Sequence, residues 1–221
     1  MGTVRDVYEQ YKIMPNLQLH QLRVAAVGKY VCSTFRIPIE EDVVVLTGLF
    51  HDMGNIIKSD FDAFPDMFKE LQEKGIPYWK QVKSEFLNTY GDDEHAATVA
   101  IAKEIGLPSR VIAVMDGIGF HHIDEIIAET TYERKLAEYS DGRVGPYGVL
   151  SLRDRLDDSK KRYKDRLQKR HINADDHYLA LAQSFDVLEK QIMNSADFQP
   201  HDLTDAVIAP IMAELWDYTI G

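Results

Sequence analysis

Histidine and aspartate residues stand beside apolar residues at three separate places in this sequence. His20 lies in LQLHQLRVA, on the apolar side of an amphipathic segment, and His51 and Asp52 are adjacent at the end of the apolar run VVVLTGLF. Asp141 follows a third amphipathic segment in AEYSDGRVG. One buried histidine is explained equally well by a hydrogen bond in the core. A buried carboxylate is costly unless it is paired or binds a metal, so the combination predicts a metal site.

Further histidines extend this set. His95 lies in GDDEHAATVA near the start of a predicted helix, and His121 and His122 lie in GFHHIDEI. Imidazole and carboxylate ligands together suit Fe, Mn, Co, Ni, Zn or Mg. These residue types therefore predict a divalent metal without selecting one.

The elements that carry these residues are predicted to be helices, because apolar residues recur three and four positions apart and alternating runs are rare. Pro15 separates a short first helix from a second at about 17–35. Pro38 and the acidic residues after it favour the start of a third helix at 39–53. Residues 58–77 are predicted to be a long irregular insertion with a helical turn or two. Further helices are predicted at 78–89, 92–105, 110–117, 131–139, 149–170, 174–194 and 203–218. The predicted fold class is all-α.

Composition and charge narrow the function classes. The 221 residues are 45% apolar and 28% charged, which is typical of a globular protein with one sizeable core. The net charge of −11 disfavours general binding to nucleic acid. Residues 153–171 hold nine Lys or Arg against four Asp, a pattern more typical of a solvated helix than of a polyanion site. The single cysteine, Cys32, and the lack of a long apolar run favour a cytoplasmic protein with no membrane span.

In this order, the motifs resemble the HD superfamily of metal-dependent phosphohydrolases. HQLRVA is similar to the first motif of that family, LTGLFHDMGN to the second and YSDGRVG to the last. His95 and His121 lie between the second and last motifs, and this arrangement resembles subfamilies that bind two metals. Examples are bacterial dinucleoside tetraphosphate hydrolases and HD-GYP cyclic-di-nucleotide phosphodiesterases. The resemblance covers about residues 17–150. It implies a single HD-domain helical bundle over residues 1–221, with a C-terminal helical extension at about 151–221.

The resemblance also implies one or two divalent metal ions, with Fe or Mn favoured. Ligands of the first metal come from the three motifs: His20, His51, Asp52 and Asp141. By resemblance to the two-metal subfamilies, His95 and His121 of this chain would join Asp52 to hold a second ion. Asp52 then bridges both metals and is the catalytic residue that positions the attacking water.

His121 is favoured over His122 as the ligand of the second metal because Phe120 precedes it. The paired histidines of HD-GYP proteins leave His122 open as a second ligand or as a substrate contact.

Three cations near these ligands are candidates for binding the substrate. The predicted phosphate contacts are Arg23, Lys58 and Arg143, and each is also explained as an ordinary surface cation.

The chain departs from the HD-GYP pattern at two points. HDMGN places Asn55 where those enzymes have lysine, and the GYP signature is missing after His122. Both differences argue against cyclic di-GMP as the substrate.

The implied function is hydrolysis of a phosphate ester or anhydride, with a small phosphorylated substrate and a nucleotide favoured. One alternative is an HD-fold diiron oxygenase related to inositol oxygenase, which uses the same ligand composition of four histidines and two aspartates. A second alternative is a non-catalytic, nucleotide-sensing HD module. The oligomeric state stays open.

Overall fold

The structure is a computed structural model, and it describes residues 2–62, 71 and 73–220, without the side chains of residues 165 and 166. Within these residues the regular elements are helices, and isolated β-bridges replace extended strands. The predicted all-α fold class is confirmed.

The described part of the chain forms eleven α-helices and three short 3₁₀ turns. The α-helices are Val4–Gln10 (α1), Pro15–Ser33 (α2), Glu41–Phe50 (α3), Ile76–Tyr90 (α4), Glu94–Glu104 (α5), Ser109–Gly117 (α6), Ile123–Ala128 (α7), Glu133–Gly142 (α8), Leu152–Lys169 (α9), Ala174–Met193 (α10) and Asp205–Leu215 (α11). The 3₁₀ turns are Asn55–Lys58, Phe120–His122 and Pro200–Asp202.

The helix bounds differ from the predicted ones at two places that matter for the site. The helix predicted at 39–53 ends at Phe50, so His51 is its C-terminal cap and Asp52 lies in the following turn. Helix α8 continues through Gly142, so Asp141 lies in its last turn and not after it. Helix α7 was not predicted. Nine of the 20 residues of the irregular insertion predicted at 58–77, namely residues 63–70 and 72, lie outside the described residues.

Helix α2 lies at the centre of the fold and packs against α3, α8 and α11. Its contact with α3 is close because a Cβ atom added to Gly48 would lie 2.7 Å from the backbone nitrogen and Cα of Ala25. Gly28 makes a similar approach, since a Cβ atom there would lie 2.8 Å from Cγ1 of Val44. These contacts set the distance between α2, which carries His20, and α3, which His51 caps.

The C-terminal helices belong to the same hydrophobic core. Helix α10 packs against α7, α8 and α9, and α11 packs against α2. Phe185, Ile208 and Leu215 are almost completely buried in these contacts. The helices after residue 150 therefore complete the core around α2 and α8.

Candidate metal centre

Side chains from α2, the end of α3 and the end of α8 meet at one point. The Nε2 atom of His20 lies 3.1 Å from Oδ1 of Asp141 and 3.6 Å from Oδ2 of Asp52. The Nε2 atom of His51 lies 3.5 Å from the same Asp141 oxygen and 3.8 Å from the same Asp52 oxygen. Ligand atoms about 2.1 Å from one ion lie roughly 3 to 4 Å from one another, so these spacings fit a metal site.

One nitrogen in this cluster shows most clearly that the residues fit a metal. Nδ1 of His51 lies 3.0 Å from the carbonyl oxygen of Gly48, which can only accept, so Nδ1 carries the proton. Nε2 of His51 is enclosed and has no hydrogen-bond partner. An imidazole whose far nitrogen donates to a carbonyl presents its other nitrogen for coordination, which is the usual arrangement of a histidine ligand.

The electrostatics of the cluster also favour a cation. Burial lowers the pKa of His51, but the charges of Asp52 and Asp141 outweigh it and raise the pKa to about 9. Burial opposes ionisation of Asp141, yet the contact with His20 at 3.1 Å and the charges of His20 and His51 hold its pKa well below the usual range. The two carboxylates are therefore stabilised by a nearby positive charge. Protonated His51 supplies that charge in the metal-free chain, and a divalent ion would supply it on binding.

The family model of the HD domain matches residues 18–188. The chain belongs to the HD domain family. This membership, together with the His-Asp cluster, supports a metal-dependent hydrolase superfamily and a divalent metal site. The match extends past residue 150, where the sequence motifs end. No curated protein and no solved structure matches the chain.

Among the described residues of this HD domain, the compact group of ligand atoms is formed by His20, His51 and Asp52, all within 4.8 Å of one another. The same part of the chain contains no helix with both the length and the hydropathy needed to cross a membrane.

His95 and His122, two of the three histidines considered for a second metal, pair with neighbouring carboxylates. Nε2 of His95 lies 3.0 Å from Oδ1 of Asp116, and Nδ1 of His122 lies 3.1 Å from Oε2 of Glu125. Burial lowers the pKa of His121, and the charges of His122 and His95 lower it further. The role of His95 and His121 as ligands of a second ion stays a prediction.

The turn after Asp52 rests directly on the first turn of α5. The backbone N–H of Gly54 donates to Oγ1 of Thr98 at 2.9 Å, and that hydroxyl donates to the carbonyl of Glu94 at 2.9 Å. A Cβ atom on Gly54 would lie only 2.2 Å from the Glu94 oxygen. The glycine of HDMGN therefore lets the start of α5, which carries His95, pack against the turn that follows Asp52. The spacing of that glycine after Asp52 was the available signal, and the sequence interpretation missed it.

Two of the cations predicted to bind phosphate are paired with acids. Nε of Arg23 lies 3.7 Å from Oδ1 of Asp205, and Nζ of Lys58 lies 3.5 Å from Oε1 of Glu94. Lys58 is the more exposed, with 42% of its side chain accessible against 18% for Arg23. A substrate anion has to compete with these carboxylates.

Arg143 is buried and faces protein groups on all sides. Its Nε donates to the carbonyl of Leu150 at 2.6 Å, Nη1 to the hydroxyl of Tyr139 at 2.7 Å and Nη2 to the carbonyl of Pro200 at 2.8 Å. This guanidinium ties the end of α8 to the segments that precede α9 and α11. Its place beside Asp141 in sequence led to the phosphate prediction, and these contacts give it a structural role.

Replacing Arg143 with methionine is expected to lower the free energy of unfolding by about 3 kcal/mol, since one buried and two partly buried acceptors lose a charged donor. Urea denaturation followed by circular dichroism measures this. Arg170→Met, at an exposed cap, should change it by less than about 0.5 kcal/mol. Unchanged stability with a raised KM for a phosphorylated substrate would instead support the phosphate contact.

Glu138 is a further acid near the site that the sequence interpretation missed. It is fully buried one turn before Asp141 and accepts the backbone N–H of Gly119 at 2.6 Å. Burial and the charge of Asp141 raise the pKa of Glu138 to about 7, against the lowering effect of that N–H.

Proposed function

We propose that this HD domain is a phosphohydrolase that cleaves a phosphate ester or anhydride of a nucleotide or another small phosphorylated metabolite. The observation that carries the proposal is the enclosed Nε2 of His51, which has no hydrogen-bond partner and faces the carboxylates of Asp52 and Asp141. A divalent metal in such a site lowers the pKa of bound water and neutralises charge on phosphate oxygens.

The proposed ligands of this metal are His20, His51, Asp52 and Asp141. The Nδ1–H of His51 is anchored on Gly48, and the backbone N–H of Asp52 donates to Oε1 of Gln21 at 3.2 Å. The side chain of His51 is 6% exposed, whereas that of Asp52 is 21% exposed. The carboxylate of Asp52 therefore lies towards the open side, where it can orient water and substrate.

A second metal bound by Asp52, His95 and His121 is part of the proposal. Support comes from the contact between Gly54 and the first turn of α5, which places His95 next to the turn that holds Asp52. Asp93 also caps α5 by accepting the backbone N–H of His95 at 2.9 Å, which fixes the backbone at that position.

We further propose that Lys58 and His122 contact the phosphate groups of the substrate. Both side chains are partly exposed, and each is paired with one glutamate that a phosphate can replace. Arg23, more buried and paired with Asp205, is proposed to add positive charge behind His20.

Metal removal tests the proposed function directly. Protein purified without chelator is assayed for metal by elemental analysis and for phosphate release from nucleotides and small phosphate esters. Dialysis against a chelator is expected to reduce phosphate release by about 1,000-fold or more, because the metal supplies several kcal/mol of transition-state stabilisation. Addition of Mn²⁺ or Fe²⁺ should restore it.

The other outcomes of this experiment separate the alternatives. Bound iron with oxygen consumption and no phosphate release would favour the diiron oxygenase. Nucleotide binding by a protein that takes up no metal would favour the sensing module. No metal after reconstitution with either Mn²⁺ or Fe²⁺ would contradict the site itself.

A further inference from the structure

Helix α8 holds the segment before the paired histidines with two side chains from one face. Nε of Arg134 donates to the carbonyl oxygen of Gly117 at 2.8 Å, and Oε2 of Glu138 accepts the backbone N–H of Gly119 at 2.6 Å. Residues four positions apart on a helix are neighbours on its surface, so Arg134 and Glu138 bind the two ends of the segment 117–119 side by side. Asp141 lies three residues further along the same helix.

The segment 117–119 leads directly into the turn that carries His121 and His122. Gly119 has a φ of 134°, a region that favours glycine, and a Cβ atom there would lie 3.0 Å from Cε1 of His121. The carbonyl of Gly119 accepts the backbone N–H of His122 at 2.8 Å. The position of Gly119 therefore sets the position of both imidazoles.

The carboxyl group of Glu138 is not explained by packing alone. Its side chain is 0% exposed, and Oε1 has no hydrogen-bond partner. Burying a carboxyl group with a single hydrogen bond is costly compared with burying an apolar side chain of the same size. A specific function of its contact with Gly119 accounts for that cost.

We propose that Glu138 is a positioning residue that fixes the His121–His122 turn relative to Asp141 and thereby forms the second metal site. The attachment of the turn to α8 follows from the hydrogen bond between Gly119 and Glu138, whereas its consequence for a second metal rests on the proposed function. The contact joins a helix that ends at a ligand of the first metal to the turn that carries the ligand predicted for the second.

Two substitutions separate this role from general packing. Glu138→Gln keeps a carbonyl oxygen that can accept the Gly119 N–H, whereas Glu138→Leu fills a similar volume without an acceptor. Amide hydrogen exchange read by mass spectrometry over residues 118–122 should be roughly tenfold or more faster in the leucine variant. The glutamine variant should exchange like the wild type.

Metal affinity provides the second measurement. The leucine variant is expected to retain one metal per chain and to bind the second roughly 10 to 100-fold more weakly, the usual effect of losing a group that orients a ligand. The glutamine variant should bind both metals like the wild type. Titration with Mn²⁺ followed by elemental analysis and electron paramagnetic resonance counts the ions and detects coupling between them.

Unchanged exchange and unchanged metal affinity in a folded Glu138→Leu variant would overturn the positioning role. If exchange and metal affinity changed equally in the glutamine and leucine variants, the positioning role would be overturned as well. The oxygen that accepts the Gly119 N–H would then not be the group that holds the turn. If the wild type binds no metal, the proposed phosphohydrolase fails, and the exchange measurement still decides whether Glu138 holds the turn.

Discussion

Replacing His51 with alanine is expected to remove the first metal and to reduce turnover of a phosphorylated substrate by about 1,000-fold or more. The substitution deletes an enclosed ring nitrogen that has no hydrogen-bond partner and lies 3.8 Å from Asp52 and 3.5 Å from Asp141. Loss of a metal that supplies several kcal/mol of transition-state stabilisation corresponds to a rate loss of this order. Elemental analysis gives the metal count, and steady-state kinetics on the substrate found by the phosphate-release screen gives kcat.

His201→Ala is the matched control for this substitution. The side chain of His201 is 82% exposed and its Nε2 lies 3.6 Å from Oδ1 of Asp202, away from the cluster. This variant should keep the metal content and the turnover of the wild type. A folded His51→Ala protein that retains its metal and its rate would exclude His51 as a ligand.

Replacing Gly54 with alanine is expected to lower the free energy of unfolding by about 3 kcal/mol. The new Cβ atom would lie 2.2 Å from the carbonyl oxygen of Glu94 and 2.9 Å from Cβ of Ala97, so the backbone of α5 has to move. That movement also weakens the hydrogen bond from the Gly54 N–H to Thr98. Inserting a methyl group into a closely packed contact typically costs 1–3 kcal/mol, and a clash with backbone falls at the upper end.

Gly106→Ala separates the clash from the ordinary effect of losing a glycine. A Cβ atom on Gly106 meets nothing within 4 Å, but its φ of 77° makes alanine cost about 1–2 kcal/mol. Urea denaturation of both variants compares the two costs. If Gly54→Ala is no more destabilising than Gly106→Ala, the turn after Asp52 does not pack against α5 as described.

The sequence predicts the helices and the first metal cluster because both depend on local patterns. The apolar spacing of α2 and α3 is visible within each segment, and the ligands come from short motifs in a fixed order. His20, His51 and Asp52 accordingly meet in the structure. Helix α7 has only six residues, which is too short for a helical period to stand out.

Contacts between distant segments could not be predicted in this way. Asp116 lies 21 residues after His95 and meets it only because α5 and α6 pack together. Glu138 reads as an ordinary residue of an amphipathic helix, and its contact with Gly119 depends on the fold between them. Arg143 stands beside a ligand in sequence, yet its guanidinium reaches Pro200, 57 residues away.

The close crossing of α2 and α3 has a consequence for which ions the site accepts. Gly48 lies against the backbone of Ala25, and the rings of His20 and His51 have centroids 5.4 Å apart, so main-chain contact fixes the imidazole side of the centre. The two aspartates are partly exposed and can bind through one oxygen or two. Ions of different radius, such as Mn²⁺ and Zn²⁺, are therefore expected to share the same nitrogen positions and to differ in how the carboxylates bind them.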